Sequence, residues 1–74
     1  MAKTSYQVKG LNKRLEDAIF ASGMELNEIS RKSGISRSCI WAYRFDGKQP
    51  SCYSLARLAV ALNVSTDWLL GLEK

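Results

Sequence analysis

The chain has no histidine, one proline, two cysteines and no apolar run approaching the length of a bilayer span. Without histidine it lacks the side chain that most often moves protons near neutral pH and most often ligates transition metals. Cys39 and Cys52, thirteen residues apart, cannot supply the four spaced ligands of a structural zinc site. They read as free thiols of a reducing compartment. Cys39, beside Ile40, is expected to pack as a small apolar residue, and Cys52 to lie in a helix's first turn. The longest apolar stretch, around residues 58–62, is far short of a span, and MAKTSYQVKG has no signal-peptide core. A soluble protein of the cytoplasm, without a membrane partner, is expected. A glycine-rich phosphate loop is missing too, and Glu16 and Asp17, adjacent on a helix, diverge rather than converge on a substrate. An enzyme is therefore not expected, and no metal, cofactor or small-molecule ligand is implied.

What remains is small and basic. Seventy-four residues hold one domain, near the lower limit at which an apolar core suffices without staples, which favours short, locally connected helices. Eleven Lys and Arg against seven Asp and Glu give a net charge of +4, the bias of a polyanion binder and also of many small basic proteins of other kinds. Lys3, Lys9, Lys13 and Arg14 precede the first acid, while Arg31, Lys32, Arg37, Arg44 and Lys48 gather in the middle of the chain.

The hydrophobic period predicts five helices and no strand. Residues 1–9 show no period and read as a flexible N-terminal arm, with one domain over residues 10–72. Leu11, Leu15, Ala18, Ile19 and Ser22 recur at helical spacing up to Gly23. Residues 26–33 and 36–45 follow as two short helices. Asp46-Gly47-Lys48-Gln49-Pro50 is a loop, and Pro50 and Ser51 suit the start of a fourth helix carrying Leu55, Leu58, Ala59 and Leu62. Asn63 ends it. Ser65 or Thr66 can cap a last short helix, whose Trp68 and Leu69 are expected on the core.

Residues 26–45, LNEISRKSGISRSCIWAYRF, are the most informative. Leu26 and Ile29 face inward, Ser30 is small where a second helix must cross, and Gly34 supplies a left-handed helix end. Ile35 re-enters the core and Ser36 can cap the next helix. This is the pattern of a helix-turn-helix, in which the second helix can enter a DNA major groove. At 100° per residue, with Ile40 on the core, Tyr43 lies about 60° to one side. Arg37, Ser38, Trp41, Ala42 and Phe45 then point outward. Arg37, in the first turn, can donate both bonds of a fork to guanine O6 and N7, or remain a phosphate contact or a solvated side chain. Ser36 and Ser38 can meet phosphates or bases, capping being the simpler role for Ser36. Trp41 and Phe45, with Ala42 between them, can meet thymine methyl groups, pack against the arm or the fourth helix, or bind a protein. Backbone N–H groups near Asn27 are placed for a phosphate, and Arg44 can reach one or pair with an acid.

Here the chain resembles the Cro and phage-repressor family of helix-turn-helix proteins, the XRE family. The motif's apolar, small and glycine positions fall on Ile29, Ser30, Gly34, Ile35, Ile40 and Tyr43. The likeness extends through RLEDAIFASGM before the motif and through DGKQPS and LARLAVALNVSTDWLLG after it, so that it covers roughly residues 11–71. The resemblance implies an all-α, five-helix, lambda-repressor-like domain that binds double-stranded DNA and regulates transcription, most simply as a repressor of phage or bacterial origin. It assigns base contacts to Arg37, Ser38, Trp41, Ala42 and Phe45, and adds Lys48, Gln49 and Ser51 to the phosphate contacts at Asn27, Ser36 and Arg44. Leu26 departs from it, because the family often has a glutamine there. The competing reading keeps the fold but makes it a protein-interaction module, an antirepressor, adaptor or antitoxin, that binds through Trp41 and Phe45. One short helix reads few base pairs, so a homodimer on DNA is expected, with Leu70 and Leu72 of STDWLLGL as candidates for its interface.

Overall fold

In a computed structural model, which describes residues 7–73, the chain forms five helices: α1 (Leu11–Ser22), α2 (Leu26–Ser33), α3 (Arg37–Phe45), α4 (Cys52–Leu62) and α5 (Thr66–Leu70). There is no strand among the described residues. The fold is a small all-α domain containing a helix-turn-helix. Helices α3, α4 and α5 each start on a serine whose side chain accepts from the backbone N–H three residues on: Ser36 from Cys39, Ser51 from Ser54, and Ser65 from Trp68. Such caps satisfy amides that have no partner inside the helix. α2 ends on Gly34, whose φ of 74° lets its N–H reach back to the Ser30 carbonyl at 2.8 Å. Asn63 ends α4 in the same left-handed region, which asparagine tolerates better than most residues.

Helix α2 packs against α4, and α1 lies across α3, α4 and α5. The fully buried side chains are Leu15, Ile29, Ile40, Leu58 and Leu69, at least one from each helix, with Ile35 in the turn also buried. Ser33 is the one buried polar residue described; its hydroxyl accepts from Ile35 N–H at 3.1 Å.

Three expectations need adjustment. Cys39 does not pack inward. It is exposed, one position before buried Ile40 and so about 100° around the helix from it. Leu70 packs half-buried against the core beside Trp68, while Leu72 is 65% exposed. Of the expected arm, Lys3 and the rest of residues 1–6 lie outside the described residues, and Val8 is docked. Its N–H donates to Gln49 Oε1 and its carbonyl accepts from Gln49 Nε2, both at 2.9 Å.

Candidate nucleic-acid interface

Ile40 and Tyr43 anchor α3 to the core, and the opposite side of the helix therefore faces outward. Arg37, Ser38, Trp41 and Phe45 are exposed there and Ala42 is half-buried. Trp41 and Phe45, one helical turn apart, retain 51% and 57% of their surface, with ring centroids 5.3 Å apart at a 55° tilt. They lean on one another rather than disappear into the fold.

Two polar links hold this face. Arg37 Nη1 donates to Asn27 Oδ1 at 2.9 Å, tying the first turn of α3 to that of α2. Its remaining donors make no hydrogen bond among the described residues. Arg44 donates through Nε and Nη2 to both oxygens of Glu16, at 2.7 and 3.1 Å, and its guanidinium lies 4.9 Å from the Phe45 ring centroid. The hydrogen bond from Arg44 holds the Glu16 carboxyl below its usual range, and the same bond raises Arg44. Glu16 thereby positions Arg44, and Arg44 covers Phe45.

Between the heads of α2 and α3 lies an open cleft lined by Leu26, Ser36, Arg37, Ser38 and Trp41. Its apolar lining is Leu26, whose side chain cannot hydrogen-bond, and Trp41.

The polar residues expected at phosphates have different surroundings from one another. Ser36 and Ser51 accept as caps; the Ser36 hydroxyl keeps its proton to donate, whereas Ser51 Oγ donates to Ser54 Oγ at 3.3 Å. The Asn27 side chain accepts from Arg37, and Arg44 is engaged with Glu16. Gln49 bonds Val8 on both amide atoms and also donates to Asn12 Oδ1 at 3.0 Å, so its side chain knits the loop to α1. Lys48 is exposed, with its ammonium unpaired among the described residues.

Sequence reasoning missed the groups that fix this framework. Asn12 Nδ2 donates to the Tyr43 and Lys48 carbonyls at 2.7 and 2.8 Å, closing the end of α3 and the following loop onto α1. Arg14 donates to the Leu69 carbonyl at 2.7 Å and to the Lys9 carbonyl at 2.9 Å, and Arg57 Nε donates to the Ser33 carbonyl at the end of α2. Apart from the Arg14 bond to Lys9, these side chains satisfy carbonyls at helix ends or in loops that are far away in sequence, and they leave no periodic trace.

Compared with known proteins, the chain is 34% identical over 64 residues to the HTH-type transcriptional regulator ImmR of Bacillus subtilis (strain 168). The match takes in 86% of this chain and 50% of the relative, so the chain spans about half the length of the curated relative it matches. No protein-family model and no solved structure matches. No helix of the described residues is long and apolar enough to cross a membrane.

Proposed function

We propose that this chain is a sequence-specific DNA-binding domain of the Cro and phage-repressor (XRE) kind, which places α3 in the major groove of double-stranded DNA and regulates transcription, as a repressor of phage or bacterial origin acting in the cytoplasm. The observation that carries this reading is the outward face of α3: Arg37 stands in the first turn with most of its donors open, and Ser38, Trp41, Ala42 and Phe45 line the same side. A helix in the major groove reads bases with the residues near its N-terminus, and the bidentate arginine–guanine pair is the commonest specific contact there. The similarity to a named transcriptional regulator supports the same reading.

Phosphate anchoring is assigned to Lys48, to the hydroxyls of Ser36 and Ser51, and to the backbone N–H groups at the head of α2 near Asn27. Arg44 and Gln49 act chiefly from inside the protein, by holding α3 and its loop in register with α1. Two copies bind one site, with Leu72 rather than Leu70 as the open apolar residue of the C-terminal segment.

A second reading, a protein-interaction module, is favoured by one specific observation, the exposed Trp41–Phe45 pair. Selection of bound sequences from random duplex DNA separates the two readings. Enrichment of a defined sequence is expected, and no enrichment at moderate salt would transfer the outward face of α3 to a protein partner.

A further inference from the structure

We propose that the cleft between the heads of α2 and α3 is a subsite for the 5-methyl group of a thymine lying next to the guanine that Arg37 reads. The proposal rests on the reading of α3 as the groove helix and adds which base the rest of its N-terminal surface selects.

The lining supplies both halves of a thymine's major-groove edge. Leu26 and Trp41 supply its apolar lining, and Ser36, Arg37 and Ser38 complete the cleft, which includes a cation and no carboxylate. In the major groove thymine presents a methyl group and the O4 acceptor, and among the unmodified bases only thymine carries a methyl. The Leu26 and Trp41 surfaces match that methyl. The Ser38 hydroxyl, exposed and without a partner among the described residues, can donate to O4. Ser36 is less suited to accept from a base, because its oxygen already accepts from the Cys39 N–H at 3.2 Å. Cytosine and adenine both bring an amino donor to this edge of the groove and would set it against an apolar wall.

Arg37 fixes the neighbouring base. One Nη1 proton is held by Asn27 Oδ1 at 2.9 Å, which fixes the guanidinium of a residue lining the cleft and leaves Nε and Nη2 for guanine O6 and N7. Asn27 is on this view a positioning residue for Arg37. Leu26 is one position at which the chain departs from the family it resembles, and in this arrangement the departure exchanges a polar contact for a methyl contact. The recognition unit is a thymine beside a guanine. 5-Methylcytosine places its methyl at the same position in the groove and so recovers the methyl contact, but not the O4 contact.

The test begins with the duplex enriched by selection and replaces each thymine in turn by deoxyuridine, which removes only the methyl group. Loss of one buried methyl should weaken binding about four-fold at one position of each half-site and leave the other positions unchanged. Cytosine at that position should bind less well than 5-methylcytosine. Trp41→Ala and Leu26→Gln should bind the thymine and deoxyuridine duplexes equally, with helix content checked by circular dichroism. Trp41 is half exposed, so the Trp41→Ala comparison does not depend on whether Leu26→Gln folds. A selected duplex that tolerates deoxyuridine at every position would overturn the methyl subsite while leaving base reading by α3 intact. A deoxyuridine penalty of the same size in wild type and Trp41→Ala would place the methyl elsewhere and overturn it as well. No enrichment from random DNA would overturn both the subsite and the reading it rests on.

Discussion

Arg37 combines exposure with a single internal hydrogen bond, and this decides what its removal should do. Because it buries no apolar surface in the core, Arg37→Ala should leave the melting temperature nearly unchanged. It should cost about 1–3 kcal/mol on the preferred duplex and relax preference at one base pair. Affinity measured across single-base variants of the duplex checks this, and a uniform loss on all sequences would make Arg37 a phosphate contact instead. Glu16 is a residue of the opposite kind, acting through another. Its carboxyl is held below the ordinary value of about 4.3 by the hydrogen bond from Arg44, so the folded protein binds fewer protons there than the unfolded chain. The stabilisation is therefore complete above that ordinary value and fades as the pH falls through the lowered one. Both partners remain partly solvated, at 37% and 25% side-chain exposure, which limits the effect to less than about 1 kcal/mol. Melting curves of wild type and Glu16→Gln should differ at neutral pH and converge in acid; a constant gap down to low pH would mean that the pair does not stabilise through its charge.

At the scale of elements, the turn between α2 and α3 sets how α3 is presented. Gly34 holds a φ of 74°, and a Cβ built there would lie 3.0 Å from Arg57 Nη2, the side chain that satisfies the Ser33 carbonyl. Gly34→Ala therefore meets both a backbone penalty and a crowded neighbour, and should destabilise by more than about 1 kcal/mol in urea unfolding. An unchanged or raised midpoint would show that the turn relaxes freely. The turn itself was legible in the sequence, because Gly34, Ile35 and Ser36 declare a left-handed helix end, a core residue and a cap within three positions. The period of Leu55, Leu58, Ala59 and Leu62 declared α4 in the same way, all four being buried. The outward face of α3 followed from the same arithmetic, given Ile40 on the core. The polar framework did not follow. The Arg14 bond to the Leu69 carbonyl joins residues 55 apart, and Gln49 meets Val8 across 41. Such pairs depend on where helices end in space, and a charged or amide side chain looks the same in sequence whether it faces solvent, a phosphate or a distant carbonyl. Cys39 was misplaced for a related reason, since adjacency to a core residue along a helix is a 100° turn away from it.

For the whole molecule, the proposed function requires so small a surface to single out one site. The proposed reading face amounts to Arg37, Ser38, Trp41, Ala42 and Phe45, enough for a few base pairs, whereas roughly 10⁶–10⁹ genomic sites compete. A net charge of +4 raises affinity for every sequence alike and cannot close that gap. Two copies related by a two-fold axis would double the sequence read, with their α3 helices entering successive major-groove faces about 34–36 Å apart on a palindromic site. The C-terminal segment offers an asymmetric choice of contact. Leu69 is fully buried and Leu70 packs against the core, so replacing Leu70 tests the fold as much as an interface. Leu72 follows the left-handed Gly71, is 65% exposed, and is held by its own N–H on the Asp67 carbonyl at 2.8 Å, which leaves its side chain open to a symmetric partner. Analytical ultracentrifugation with a palindromic duplex should therefore give a 2:1 complex, and Leu72→Glu should reduce it toward 1:1 without lowering helix content. A wild-type complex that stays 1:1 at saturating protein would remove the dimer, and a 2:1 complex intact in Leu72→Glu would move its interface away from Leu72.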